Sequence, residues 1–391
     1  MEAVLIKKQM LMAIMFIFAI TLALGAVSAE ETVGSPDNSS TSTNSSDEVH
    51  GYWIWASDVH DADVTELKNN NITDVYVLTR SVSGNTYNAQ LQEAIAKFGV
   101  ASIKVHSWIV CFKDGDHFVN PSGYYSYSTQ VYVTTTKRWG WKAIPYKVKV
   151  RAGKYKVGKR WKYTYRYVTK YKYRKGWIYT PIYRTETRSG YDTSYNDRLT
   201  NYISDISNNY NVTGIHLDYV RYSGVEKYGN AAWQQPGGSE AATTTITRFV
   251  QKIRERIDAI NNQNITGKSY IQLSAAVMPE GTTNARTYGQ DYGQIGKYVD
   301  YLVPMIYKGN YGKDTAWIGE TTSKIKALSG NKTIIAGLQT YYSDNNAHGI
   351  PKAELQTDID TAIGSGASGF VLFRYEAHNT HTADIDHYLD A

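Results

Sequence analysis

Eight short apolar runs, separated by stretches of helical character, constrain this chain more than any other feature. The runs are Gly51–Ala56, Asp74–Leu78, Ser102–Phe112, Gly214–Asp218, Tyr270–Val277, Tyr301–Ile306, Thr333–Leu338 and Gly369–Phe373, and each reads as a strand. Between them, apolar residues recur at helical spacing, as in Leu91, Ile95 and Phe98, or Phe249, Ile253 and Ile257. Strands that are apolar throughout suit a sheet covered on both faces, and a strand–helix repeat makes that sheet parallel. Eight such units close naturally as a (β/α)8 TIM barrel, an α/β fold. The barrel is predicted over residues 51–391.

A barrel of this kind needs about 250 residues, and the predicted span has 341. Much of the surplus sits at residues 131–190. This stretch holds 11 Lys and 7 Arg against a single acid, Glu186, with ten Tyr and four Trp. Its net charge is +17; taken from the chain's +6, that leaves −11 on the remainder. The pattern alternates, as in Lys162-Tyr163-Thr164-Tyr165-Arg166-Tyr167, which is the period of a strand. Turn signals at Gly140, Arg151-Ala152-Gly153 and Lys175-Gly176 predict several antiparallel hairpins. The insertion falls in the third βα loop, on the face where barrel enzymes carry their active sites, and is expected to overhang the pocket.

Apolar residues at 42% and aromatics at 13% exclude a wholly disordered chain. The single cysteine, Cys111, excludes a disulfide framework and a cysteine-based zinc site. Residues 1–29 have the layout of a secretory signal peptide: Lys7 and Lys8, an apolar stretch from Met10 to Leu24, then Val27-Ser28-Ala29. An uncleaved membrane tether through residues 10–29 is the competing reading. Residues 30–50 read as a disordered polar linker. A secreted or cell-surface location follows as the expectation. Sequons at Asn38, Asn44, Asn71, Asn211, Asn264 and Asn331 fit export, although Asn-rich chains also produce them by chance.

The run Gly214-Ile215-His216-Leu217-Asp218-Tyr219-Val220-Arg221-Tyr222 is the most informative for function. A buried strand ends in an acid, and an acid there is costly unless it is hydrogen-bonded, which points to chemistry. The run resembles the fourth strand of glycoside-hydrolase-like (β/α)8 barrels of secreted prokaryotic surface proteins. Val105-His106-Ser107-Trp108, Leu273-Ser274-Ala275-Ala276-Val277, Val299-Asp300-Tyr301-Leu302-Val303-Pro304, Ile335-Ala336-Gly337-Leu338 and Gly369-Phe370-Val371-Leu372-Phe373-Arg374-Tyr375 continue the likeness on strands 3 and 5 to 8. Where that family usually has proline after the Arg-Tyr pair, this chain has Ser223-Gly224, and its Asn120-Pro121 arrives late.

The resemblance implies hydrolysis of glycosidic bonds, commonly the work of two carboxyl groups. Asp218 is the candidate nucleophile or charge stabiliser. Glu280, just beyond strand 5, is the candidate general acid, an arrangement similar to that of alpha-amylase-like barrels. Glu376 and Asp58 are held in reserve for the acid. Trp55, Trp108, Tyr219, Tyr307 and Tyr341 fall at or just beyond strand ends, where rings can stack on sugars. Arg80, Arg221, Lys308, Gln339 and Arg374 could reach hydroxyls or an acidic sugar.

No metal and no cofactor is expected. His216 and Asp218 are two residues apart on one strand and reach different depths, and His106 reads as a hydrogen-bonded interior residue. Eighteen cations among aromatics would suit nucleic acid in a cytoplasmic protein. For an exported one the expected partner is a polysaccharide, an anionic cell-wall glycan. A non-catalytic carbohydrate-binding or adhesin protein on the same barrel is the alternative, and a metal-dependent deacetylase a third reading. The sugar, the linkage and the oligomeric state stay open at this point.

Overall fold

A computed structural model of the protein describes residues 48–226 and 229–376. The leader-like segment 1–29, the linker to residue 47 and the sequons at Asn38 and Asn44 lie outside the described residues. Eight parallel strands form the barrel: β1 Val49–Ile54, β2 Asp74–Arg80, β3 Lys104–Val110, β4 Gly214–Asp218, β5 Gln272–Val277, β6 Tyr301–Pro304, β7 Ala336–Gln339 and β8 Gly369–Tyr375. They pair in the order β6-β5-β4-β3-β2-β1-β8-β7. The remaining seam, between β6 and β7, is joined by the bridges Leu302–Ile334 and Met305–Gly337. The Ile335 amide donates to Leu302 across it at 2.9 Å.

Helices α1 Val64–Asn69, α2 Asn88–Gly99, α3 Ser194–Asn209, α4 Gly238–Asn261, α5 Asn284–Tyr288, α6 Tyr292–Gly296, α7 Thr315–Leu328 and α8 Lys352–Gly364 fill the connections. Local chemistry starts several of them. Asp63 caps α1 by accepting from the Thr65 and Glu66 amides, and Asp314 caps α7 by accepting from the Trp317 amide. The larger core lies between strands and helices, where Leu91, Ile203, Ile253, Ile325 and Leu355 pack on outward-facing strand residues such as Ile215 and Leu217. Among the described residues no helix is long and apolar enough to cross a membrane. Asn71, Asn264 and Asn331 all have left-handed backbone, with φ of 53°, 46° and 61°. Asparagine tolerates that conformation better than most residues, so turn geometry accounts for the asparagine of three of the sequons.

The inside of the barrel is a second, aromatic layer of Trp53, Tyr76, Trp108, Tyr301, Val303, Ile335 and Val371. At its centre His106 Nε2 meets Asp74 Oδ1 at 2.6 Å, both side chains being fully shielded. The Tyr76 ring stacks on His106, and its hydroxyl bonds that of Tyr301 at 2.8 Å. Gly214 makes this layer possible, since a Cβ there would lie 2.4 Å from His106 Nδ1. Gly214→Ala is therefore expected to lower stability by about 1–3 kcal/mol. An unchanged urea midpoint would contradict this account of the packing.

The insertion departs from the sequence expectation in form. It is one hairpin with arms Tyr124–Val157 and Arg160–Tyr191, paired continuously around a turn at Gly158 and Lys159. The turns expected at Gly140 and Lys175-Gly176 do not form: those glycines pair with each other across the ribbon, and Ala152 is a bulge. An exposed two-stranded ribbon has no covering layer, so glycine sits in mid-strand with no core packing to lose. At the root, Asn120 Oδ1 accepts from the Ser122 amide and hydroxyl, and Asp192 donates its amide to Gly123. The late Asn120-Pro121 thus builds the turn that launches the hairpin.

Candidate active site

Asp218 ends β4 on the barrel's inner side, and its carboxylate is held by two fixed donors. Trp108 Nε1–H on β3 donates to Oδ2 at 3.0 Å, and the Tyr219 amide donates to Oδ1 at 2.6 Å. The second bond depends on an unusual backbone, for Tyr219 has φ +50°. A bulky residue in the left-handed region is a true outlier and stores strain. The turn is clamped by the Cys111 and Phe112 amides, which donate to the carbonyls of Asp218 and Tyr219 at 2.7 and 3.0 Å. Burial raises the Asp218 carboxyl above the ordinary aspartate range, against the opposing pull of Trp108, the Tyr219 amide and the Arg221 charge.

Glu280 stands in the loop after β5, at the entry to a short 3-10 turn. Its Oε1 accepts from the Tyr311 hydroxyl at 2.7 Å and the Tyr288 hydroxyl at 3.1 Å. Its Oε2 is shielded from solvent and has no hydrogen-bond partner among the described residues. Burial raises this carboxyl too; the Tyr311 and Tyr288 bonds and Arg221 act in the opposite sense. One guanidinium therefore acts on both acids. Arg221 lies over the rings of Phe118, Tyr219 and Tyr288, at 4.9, 4.9 and 5.1 Å. It donates to the Tyr222 and Ser223 carbonyls at 3.0 and 3.3 Å. Gly224, where φ is +99°, lets Tyr288 close against this turn, since a Cβ would come within 2.3 Å of its ring.

The other sequence candidates divide into two groups. Tyr307 stacks on Phe373, and Asp218 is among the charges acting on its hydroxyl. Tyr341 also packs near Phe373, and its hydroxyl donates to Asp344 at 2.9 Å. Gln339 is buried, its Oε1 accepting from the Asn310 amide at 3.4 Å. Trp55 is exposed, with the Arg374 guanidinium 4.4 Å above its ring.

Arg374 is also ion-paired with Glu376, so that reserve acid has a cation bound to it. Asp58 lies in the 3-10 turn after β1, accepting from the Ser57 hydroxyl at 3.3 Å. Arg80 and Lys308 are engaged elsewhere. Arg80 donates to the Val110 carbonyl at 2.5 Å and to the Tyr195 hydroxyl at 2.9 Å, tying β2 to β3 and α3. Lys308 is held by Glu354 and Asp358 of α8, each at 2.7 Å.

His106 is the hydrogen-bonded interior residue read from the sequence, and its partner, which the sequence did not give, is Asp74. His216 bonds Ser274 at 2.9 Å and is pushed down to about 3 by burial and then by His106, so it is neutral at physiological pH. Tyr288, Tyr311 and Phe118 were not singled out from the sequence. They lie in the connections after β5, β6 and β3, Tyr288 as the last residue of the short helix α5, where no periodicity marks them. Phe118 also lines a cleft of about 360 Å³ with Asn120, Tyr124, Tyr222 and Gln235, at the hairpin root.

The model of a family described as "Putative glycosyl hydrolase domain" matches residues 159–373, from the hairpin turn into β8. Among solved structures, the glycoside hydrolase domain of PgaB (BpsB) from Bordetella bronchiseptica aligns with a TM-score of 0.52 and 11% identity. The alignment covers 83% of this chain and 94% of that one. A glycoside hydrolase family 18 N-acetylglucosaminidase from Paenibacillus barengoltzii aligns with a TM-score of 0.50 and 10% identity, covering 88% and 99%. At these identities the likeness is one of fold. No curated protein matches the chain.

Proposed function

Since the chain belongs to this glycosyl hydrolase domain family, we propose that it hydrolyses glycosidic bonds in an extracellular or cell-wall polysaccharide by a two-carboxylate mechanism. The observation that carries the reading is the contrasting environment of two acids, Asp218 buried and Glu280 half-buried, that share Arg221. Asp218 faces two N–H donors, neither of which can accept a proton, and that favours a carboxylate. It serves as nucleophile, or as the base that activates water. Glu280 leaves Oε2 unpartnered, the place where a carboxyl proton can sit, and burial favours the protonated form. That proton passes to the leaving oxygen as the glycosidic bond breaks; water supplies the hydroxyl that ends on the anomeric carbon. Tyr307, Tyr341 and Trp55 supply faces for the sugar rings.

The test is release of reducing ends by the full chain from a panel of acidic and neutral polysaccharides. Release from at least one supports the reading, and none from any contradicts it. The anomer formed first distinguishes a covalent intermediate, with retention, from direct attack by water, with inversion. Trp108→Phe keeps a ring but removes one donor to a charged acceptor, worth about 1.5–3 kcal/mol. Its kcat/KM is expected to fall by about 10–100-fold. An unchanged value would detach Trp108 from the reaction.

A further inference from the structure

The two faces of the hairpin differ sharply in composition. Opposed residues of an antiparallel pair share a face, so the register from Lys137–Tyr179 to Lys156–Trp161 sorts the side chains. One face carries Trp139 and Trp141 from the first arm, and Trp161, Tyr163, Tyr165, Tyr167, Tyr171, Tyr173, Trp177 and Tyr179 from the second. Over the same span the other face carries only Tyr146 and Tyr155 among its aromatics. All ten rings of the aromatic face are solvent-exposed, by 40–68%. The cations opposite them do not point away. Arg151 lies 3.7 Å from the centre of the Tyr163 ring, Lys137 4.1 Å from Trp177, Lys154 4.6 Å from Trp161 and Lys149 4.8 Å from Tyr165.

An exposed aromatic track of about 60 Å is far outside what a surface carries without use. Hairpin stability does not explain it, for the second face is left open as well. We propose that this face is a docking track for an acidic polysaccharide, which lies along the rings while its carboxylates meet the flanking Lys and Arg. Tyrosine and tryptophan offer flat apolar faces with hydrogen-bonding edges, suited to sugar rings. The +17 charge of residues 131–190 selects a polyanion. The ribbon that carries the track is rooted beside the candidate site, because the root cleft, lined by Tyr124 and Ser126 of the first arm, also holds Phe118, over which Arg221 lies. The choice of a glycan over other polyanions rests on the hydrolase reading; the existence of the track does not.

The experiment measures binding of the full chain to polygalacturonate, a neutral glucan, oligo(dT) and phosphatidylserine vesicles, at low and high salt. Binding needs no turnover, so its failure is separable from failure of hydrolysis. The expected result is binding to polygalacturonate at least about tenfold weaker after Tyr163, Tyr165, Tyr171 and Tyr173→Thr together. Removing both aromatics of the other face over the same span, Tyr146→Thr with Tyr155→Thr, is expected to leave binding within about twofold. High salt should weaken binding of the parent. The hairpin does not pack on the barrel core, so both variants should keep the parent's melting temperature, which controls for folding. Equal loss from either face overturns the proposal, as does tighter binding to oligo(dT) or vesicles, or equal binding of the neutral glucan.

Discussion

Glu280→Gln is expected to lower hydrolysis of unactivated glycosidic bonds by about 10²–10⁴-fold. An aryl glycoside with an acidic phenol as leaving group should be affected far less, because that oxygen departs without a proton. Asp218→Asn should impair both substrates, since the nucleophile or base is needed whatever leaves. Steady-state kinetics on the two substrate types separates the roles, and equal losses in Glu280→Gln would remove Glu280 from the acid position.

The pH profile follows from the same environments. Activity needs Asp218 ionised, so it falls as pH drops through a value raised above the aspartate range. It also needs Glu280 protonated, so it falls again as pH rises through a value raised above the glutamate range. Glu280→Gln should lose the alkaline limb. Stability carries the matching sign. A carboxyl raised in the folded state contributes fully below its unfolded value, and that contribution is lost as pH rises through the folded value. At neutral pH Glu280 is thus a liability to the fold, and Glu280→Gln should melt no lower than the parent. Asp218→Asn has no such latitude, because Trp108 and the Tyr219 amide donate to different oxygens and the new NH2 would face one of these donors.

Asp74→Ala is expected to produce the largest loss of stability, about 3–5 kcal/mol, since it leaves His106 buried without its partner. That is a large fraction of a typical domain's stability. Burial alone would raise the Asp74 carboxyl, but the hydrogen bond and charge of His106, with Thr73 and Lys104, outweigh it and hold the group low. A depressed carboxylate stabilises above its unfolded value, and the benefit is lost as pH falls through the folded value. The difference in melting temperature between parent and Asp74→Ala should therefore be widest at neutral pH and narrow in acid. A difference that does not change with pH would mean that the hydrogen bond between Asp74 and His106 is not what the substitution removes.

The barrel was legible because its strands are buried on both faces and read as continuous apolar runs; Gly214–Asp218 matches residue for residue. Strand ends were less so. β6 stops at Pro304 rather than Ile306: proline cannot donate to a ladder, and beyond it the pairing thins to the single bridge Met305–Gly337. The hairpin's alternation announced strands, but its glycines misled, since their usual meaning as turns assumes a sheet with a core to pack. Asp218 and Trp108 could be found from strand position. Tyr288 and Tyr311 could not, because the partner of a residue between two barrel strands is set by the path of the whole connection. Nor does sequence say which carboxylate a long cationic side chain will reach, and Lys308 finds two on α8.

The most direct test follows the parent, Asp218→Asn and Glu280→Gln side by side on a polysaccharide that the parent binds, recording bound polymer and released reducing ends in the same samples. The account predicts equal binding by all three and release by the parent alone, with both variants reduced at least about a hundredfold. Equal binding with no release by the parent, or release undiminished in either variant, would contradict it.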